Sequence, residues 1–563
     1  MGADAFRADD LVTGLLLARG CPREAIDSHR APTLRAFMPD PSCFQDMDRA
    51  AVRLADAIDA GEAITIFGDY DVDGATSAAL MIRLLRALGA APQVYIPDRL
   101  MEGYGPSGPA LVRIAEGGTR LIVTVDCGAQ AFEALAAAEA AGVDVIVVDH
   151  HQCATALPVA HAVVNPNRLD ECADAAAHGH LAAVGVCFLL GAALLRELRR
   201  RGRFADAAEP RLIDLLDLVA LGTVADVAAL RGLNRAFVTQ GLKVLAAGRN
   251  IGLTALTAAA RLTKRVTARD LGFALGPRIN AGGRVGRSDL GVRLLTTDNP
   301  DEAAAIAAEL NLLNEERRAI EAAVLEEALV RAEAAGGSVA VIAGAGWHPG
   351  VIGIVASRLK EKLGRPAIVI ALDEAGVGKG SGRSVTGVDL GAAVLAARQA
   401  GLLVAGGGHA MAAGLTVAAG GVEAFARFLD ERLAADVARA AGDRALLLDA
   451  VVAPGGVATA LVEALEEGGP YGAGWPGPRI AAGPVRVIRA DVVGNGHVRA
   501  VVAGADGRSV KAVAFRSADQ PLGQALLGAG PHRRLWLAGR AQIDDWSGGT
   551  TAELHVEDAA WAD

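Results

Sequence analysis

A chain of 563 residues is too long for one hydrophobic core, and roughly three or four domains are expected of it. Hydrophobic residues make up 52% but aromatics only 4%, so the cores must be filled by small and branched side chains. The net charge of −10 excludes a simple basic nucleic-acid-binding module, although not an enzyme whose carboxylates are partly neutralised by divalent cations.

Asp4, Asp9 and Asp10 interrupt the first residues and no apolar run follows them, which argues against a secretion signal. A helical segment is expected over residues 1–50, followed by a domain spanning residues 51–265. Within it the short apolar runs Ile64–Phe67, Val94–Ile96, Leu121–Val125 and Val143–Val148 alternate with alanine-rich stretches of helical length, and Ala162–Val164 adds a fifth run. Non-alternating runs separated by helices predict parallel strands buried on both faces, in an open α/β sheet of doubly wound type. The longest uncharged helical run, Leu181–Leu195, falls short of the ~20 residues that span a bilayer, so no membrane association is expected. All six cysteines lie between Cys21 and Cys187 without a CxxC pair, the pattern of reduced thiols in a cytoplasmic protein.

Residues 266–337 combine an arginine-rich segment with a long helix. Leu310, Leu313, Ile320, Val324 and Leu329 recur at helical spacing between Asp301 and about Ala335, and a helix of about 50 Å suits a bridge between two lobes. A second α/β segment is expected over 338–445. Over 446–563 the runs Val485–Val493, Val498–Val502, Val510–Phe515, Leu535–Asp545 and Thr551–Glu557 are short, evenly spaced and broken by Gly, Asn and Asp, which predicts a small antiparallel barrel. The expected fold is thus two α/β lobes joined by a long helix, with an all-β barrel at the C-terminus.

Chemistry concentrates where the first-lobe strands end. Gly68-Asp69-Tyr70-Asp71-Val72-Asp73-Gly74 follows the first strand, and three carboxylates on alternate residues can converge on hard divalent cations. A calcium loop of the EF-hand kind begins the same way, but it needs a glutamate at the twelfth position, where Leu80 stands, and a preceding helix rather than a strand. Asp126 ends the third strand, Asp149-His150-His151 ends the fourth, and Asp226 follows a leucine-rich helix. Any one of these could be a solvated loop acid. Carboxyl ends of parallel strands share one edge, however, so together they can meet in one crevice.

The series Asp-x-Asp-x-Asp-Gly, strand-end Asp, Asp-His-His and later Asp resembles the DHH phosphoesterases. That resemblance implies two Mn²⁺ ions, or Mg²⁺ in their place, and hydrolysis of phosphodiester or phosphoanhydride bonds. It implies that Asp71 and Asp73 each face one metal with Asp69 close behind, that Asp126 bridges the pair, and that His150 and Asp226 complete the ligand set. His151 would contact the scissile phosphate, and Asp149 would orient an imidazole.

The remaining segments resemble the RecJ branch of that superfamily. They are Pro97–Gly105, Gly276–Arg287 with three arginines and no acid, Trp347–Arg358, Gly380–Ser384 and Gly407–Gly414, the last similar to the GGH motif of the DHHA1 domain. Substrate phosphates would be held by Arg278, Asn280, Arg284, Arg287, Arg358, Ser381, Arg383, Gly408 and His409. The alternatives are a solvated loop for 276–287 and a buried structural histidine at 409. The barrel resembles an OB-fold, which binds single strands by stacking, and Phe515, Trp536, Trp546 and Trp561 are its few aromatics, with two or more expected in its core. Arg499, Lys511 and Arg516 are its candidate phosphate contacts. The implied activity is 5′-to-3′ degradation of single-stranded DNA in repair and recombination, with a single-strand-binding protein and a helicase as partners. Tyr471, Trp475, Gly282 and Val285 depart from the family pattern without removing a charge or a ligand.

Three other functions compete with this one. A small-substrate member of the superfamily, acting on short oligonucleotides or cyclic dinucleotides, needs neither the barrel nor the arginine-rich segment. A non-catalytic replication-fork scaffold would have lost metal ligands. An NAD-binding protein would show GxGxxG after its first strand, and this chain does not.

Overall fold

The computed structural model describes residues 10–99, 101–442, 445–530, 533–544 and 551–562. Asp4, Asp9, Leu100, Asp545 and Trp546 lie outside the described residues. The first lobe is built on β1 (Ile64–Gly68), β2 (Gln93–Tyr95), β3 (Leu121–Val125), β4 (Asp144–Val148) and β5 (Ala162–Val164). They form one parallel sheet in the order β2-β1-β3-β4-β5. β1 and β3 are buried at every position, as continuous apolar runs require. Side chains alternate between two cores: Ile64, Ile66, Val123 and Ile146 pack on one face, and Phe67, Ile122, Val145 and Val147 on the other.

The first face is covered by α1 (Val72–Ala87), α2 (Ala183–Arg200) and α3 (Leu216–Ala225). Small residues let these helices approach closely: a Cβ at Gly222 on α3 would lie 2.3 Å from the Thr76 hydroxyl on α1. The alternative of a solvated loop for residues 276–287 does not hold. Gly276–Val285 is a helix, α4, so its amides are spent within it. Its glycines serve helix packing: a Cβ at Gly283 would meet the Tyr70 carbonyl at 2.8 Å, and one at Gly282 the Leu310 side chain at 3.2 Å. The long helix α5 (Pro300–Ala335) has 36 residues, with Asn299 capping its first amides.

The second lobe is a mixed sheet, β6 (Ala340–Ala345), β7 (Ala367–Leu372), β8 (Gly378–Arg383), β9 (Ala405–His409) and β10 (Ala412–Val417), in the order β6-β7-β8-β10-β9. Only β6 and β7 pair in parallel. Its helices include α6 (Ile352–Leu363) and α7 (Leu390–Gln399). In the C-terminal domain β11 (Ala450–Val452), α8 (Thr459–Glu466), β12 (Ile480–Val493), β13 (His497–Ala503), β14 (Ser509–Ala514), α9 (Pro521–Gly528), β15 (Leu535–Ile543) and β16 (Ala552–Trp561) follow in order. The barrel runs β12-β13-β14-β16-β15 and closes through β12–β15. It is not wholly antiparallel as expected, because β14 and β16 pair in parallel, the topology of an OB-fold with its helix between the third and fourth strands.

Arg235 fixes this barrel domain to the first lobe. It is 1% exposed and has no carboxylate partner among the described residues. Instead its guanidinium donates to the carbonyls of His29, Pro470 and Gly468, each at 2.9 Å, and of Gly469. Gly468 and Gly469 follow α8, at the negative end of its dipole, where a cation is favoured. Trp475 completes the joint, with Arg19 4.6 Å from its ring centroid and His29 edge-on at 4.5 Å. Arg235→Met should leave those carbonyls unpaired and cost about 3 kcal/mol or more, read as a lowered denaturation midpoint. A chain ended near Ala445 loses three of the four acceptors and should be less stable than the full chain by the same assay.

Candidate metal centre and substrate cleft

The register of the first sheet sets the crevice. Gly68 pairs with Val125, Val125 with Val148, and Val148 with Val164, so four strands end level. The residues that follow are Asp69, Asp126, Asp149 and Asn165, a polar row along one edge. Asp126 has φ +62°, an uncommon conformation for a non-glycine residue that short polar side chains tolerate best. Gly74 is obligatory, because a Cβ there would meet the Asp69 carbonyl at 2.5 Å.

Two groups of ligand atoms result, each within 4.8 Å of one another: Asp69, Asp71 and Asp126, and Asp73, His150 and Asp226. They adjoin, since His150 Nε2 lies 3.3 Å from Asp126 and 3.8 Å from both Asp73 and Asp226. Asp73 also accepts from the Ala183 and Val184 amides at 2.7 and 3.0 Å, the N-terminus of α2. Asp71 caps α1 through the Gly74 amide. Asp126 and His150 also meet His151 in a third group.

The donor set fits divalent cations. Asp69 Oδ1, Asp126 Oδ1 and His150 Nε2 are buried without hydrogen-bond partners. Burial and the Asp71 charge push Asp69 up to about 8, and burial and Asp71 push Asp226 up to about 7. Asp73 and Asp126 are likewise raised, by burial and by neighbouring carboxylates. So many acids ionise together only when cations offset their repulsion. Burial, then the His151 charge, lowers His150, which favours the neutral imidazole that metals bind.

Asp149 plays a different part. Burial alone would raise it, but the His151 hydrogen bond and charge hold it at about 2. It accepts from His151 Nδ1 at 2.7 Å and from the Ala129 amide at 3.0 Å. His151, which burial alone would lower, is raised by Asp149 to about 9. Three residues absent from the expected set complete the support. The Tyr104 hydroxyl donates to the Asp126 carbonyl at 3.0 Å and lies 3.2 Å from His151 Nδ1. Asn165 donates to the His151 carbonyl and Asn167 to that of His150. The signals were there to find: Tyr104 stands between Gly103 and Gly105, both at positive φ, and Asn165 falls on the same strand-end row as the acids.

Facing the crevice across the lobes is a cleft of about 450 Å³ whose cations are Arg99, Arg284, Arg358, Lys379 and Arg383. Ser381 also lines it. Arg99, Arg284 and Arg383 have no ion-pair partner among the described residues. Burial, then the Arg99 charge, lowers Arg284 to about 10, and the same two causes lower Arg383. Arg284 donates to the Gly350 carbonyl, joining α4 to the second lobe. Arg99 and Lys379 were not among the expected contacts. The other expected residues are more dispersed. Arg358 pairs with Glu321 and Glu361, Arg287 with Asp289, and Arg278 binds Asn311 and the Ala274 carbonyl. Asn280 is half-buried on α4. His409 is exposed, not buried, at the end of β9 outside the cleft lining, beside Gly408 at φ +153°. On the barrel Lys511 pairs with Asp544 at 2.6 Å and Glu553 at 3.5 Å, so it is already neutralised. Phe515 is 54% exposed, Trp561 37% and Trp536 half-buried, so none of the three is core as expected.

Mn²⁺ should therefore raise the melting temperature by several degrees, since a ligand at 100 times its Kd adds about 2.7 kcal/mol. Asp126→Asn keeps a side chain that tolerates positive φ while removing a crowded charge. It should raise the metal-free melting temperature and abolish the Mn²⁺ increment, both read in one calorimetric series.

The comparisons with known proteins agree along the chain. The DHH family N-terminal domain matches residues 63–223, the DHHA1 domain 336–435 and the RecJ OB domain 448–558. The single-stranded-DNA-specific exonuclease RecJ of Salmonella typhimurium is 40% identical over 474 residues, 81% of each chain. The crystal structure of Thermus thermophilus RecJ with Mn²⁺ superposes with a TM-score of 0.78 at 30% identity, covering 100% of this chain and 77% of that one. The same protein with Mg²⁺ gives 0.73 at 29% identity, covering 100% and 76%. No helix among the described residues is long and apolar enough to cross a membrane. From three domain matches in order and a relative this similar over most of both lengths, the chain belongs to the RecJ family of DHH-type exonucleases.

Proposed function

We propose that this chain hydrolyses single-stranded DNA from an end by a two-metal phosphodiesterase reaction. The observation that carries the reading is the position of Asp126, grouped with Asp69 and Asp71 and 3.3 Å from His150 of the second group, together with a cleft where Arg99, Arg284 and Arg383 have no carboxylate partner among the described residues. Asp69, Asp71 and Asp126 would hold one ion, and Asp73, His150 and Asp226 the other with Asp126 in common. Two divalent ions supply an ionised water and offset charge growing on the phosphate oxygens.

The protein's own groups do the rest. Asp149 and Tyr104 hold the His151 ring so that it can donate a hydrogen bond to a phosphate oxygen. Asn165 and Asn167 fix the backbone that carries both histidines. Arg99, Arg284 and Arg383, with the Ser381 hydroxyl, would grip a phosphate across the cleft. A terminal phosphate monoester carries more charge than an internal diester, so such a cluster favours a strand end. The 5′-to-3′ polarity rests on the family resemblance. So does the setting this reading assigns: the cytoplasm, in DNA repair and recombination, with a helicase and a single-strand-binding protein beside the strand.

Cleavage of 5′-labelled and 3′-labelled single strands should require Mn²⁺ or Mg²⁺ and stop with chelator. Asp126→Asn should lower kcat at least 1,000-fold, on the order of 4 kcal/mol of lost transition-state stabilisation. Activity in excess EDTA, or a variant within tenfold of the parent, would sink the metal assignment. Arg383→Ala should lower kcat/KM about 10- to 100-fold on 5′-phosphorylated strands, and much less on 5′-hydroxyl strands. Equal losses on both would place the terminal phosphate elsewhere.

A further inference from the structure

α4 carries a feature that the phosphate and metal sites leave unused. The five residues before it, Leu271–Leu275, form a single π-turn, a deviation that often marks a functional site. Around this turn, Gly272 faces Val224 and Gly276 faces Ala225 and Val72, with a Cβ at each meeting those side chains at 3.3 to 3.9 Å. The helix is thereby pressed against the segments that carry Asp71 and Asp226. Phe273, one residue on from Gly272, is turned away from that contact and is 82% exposed.

Phe273 is the most exposed aromatic side chain among the described residues, and its surroundings point to what would cover it. Gly272, Gly276, Ile279 and Gly283 face the catalytic lobe, and Arg278 and Gly282 face α5. Phe273, Asn280 and Arg284 occupy the remaining side, and Arg284 lines the arginine cleft. From Arg284 back to Phe273 is 11 residues, about 16 Å at the α-helical rise. A strand with its end in the arginine cleft and a phosphate at the metal crevice would pass over Phe273 within a few nucleotides. Beyond it the chain carries Arg261, Arg265 and Arg269, all exposed and without an ion-pair partner among the described residues. Cations on both sides of a bare ring match a polyanion that carries flat apolar groups.

We propose that Phe273 is a stacking platform for one nucleobase of the bound single strand, downstream of the scissile phosphate, and that it contributes to selection of single strands. A base paired in a duplex has both faces covered and cannot use the ring. The inference rests on the nuclease reading of the crevice, and the test separates the two.

Single strands of one length, each with an abasic site at a different position, would be bound to the full chain in chelator and then cleaved with Mn²⁺. Phe273→Ala should weaken binding of the intact strand about tenfold, within the range for a lost base–aromatic stack. In the parent, one or two neighbouring abasic positions should give the same loss, and at those positions Phe273→Ala should cause no further loss. Phe273→Trp should restore binding, and 2-aminopurine at that position should be quenched by the parent but not by Phe273→Ala. An exposed residue should not matter for folding, so equal melting temperatures are expected. Binding by Phe273→Ala equal to the parent's, or a loss independent of abasic position, would overturn the proposal. Dissociation of a dimer by Phe273→Ala with a flat abasic profile would do the same, assigning the ring to a second copy. Position-specific loss without any metal-dependent cleavage would instead retain the platform and reject the nuclease reading.

Discussion

Parallel pairing of β1, β3, β4 and β5 without a slip is the constraint from which the crevice follows. Because the side-chain period of a strand is two, a one-residue shift of β3 would turn its apolar residues to the wrong core and move Asp126 off the common edge. The apolar runs on both faces thus fix the ligand geometry indirectly: they are held in register by burial, and the acids inherit it. The crowding this produces is unfavourable for the protein alone, as the raised Asp69, Asp73, Asp126 and Asp226 show. Core burial and the α2 amides on Asp73 hold the groups together in spite of it.

Much of this was legible in the sequence because it depends on local pattern. Continuous apolar runs gave the strands, and an acid after each of three runs gave the crevice. What was not legible depended on contacts between distant segments. The Gly276–Val285 stretch reads as a loop because three glycines, a proline and few apolar residues depress helix propensity. Its glycines are instead small because Tyr70, Ala225 and Leu310 press against it, and packing outweighs propensity. Arg235 gave no signal at all, since its partners are carbonyls of residues 29 and 468–470. Tyr471 and Trp475, noted as departures from the family pattern, belong to that joint: Trp475 stacks on Arg19 and His29, and the Tyr471 hydroxyl donates to the Leu465 carbonyl.

The charge distribution resolves how a chain of net charge −10 could hold a polyanion. What matters is whether cations are already matched. On the barrel some are: Lys511 is held by Asp544 and Glu553, and Arg489 by Asp491, whereas Arg499 and Arg516 are exposed with no ion-pair partner among the described residues. A phosphate at Lys511 or Arg489 would have to displace a carboxylate, so the exchange gains little there. In the cleft Arg99, Arg284 and Arg383 repel one another and lie near no carboxylate within ion-pair reach. There a phosphate relieves repulsion instead of breaking a pair, and partial burial limits screening by salt. The unpaired cations of the cleft are thus half-buried, whereas Arg499 and Arg516 on the barrel are open to screening. The barrel adds the exposed Phe515, flanked edge-on by His497 and His555, to those arginines. Arg235 ties the barrel to the lobe that carries the crevice, and each bears an exposed ring, Phe515 on the one and Phe273 on the other.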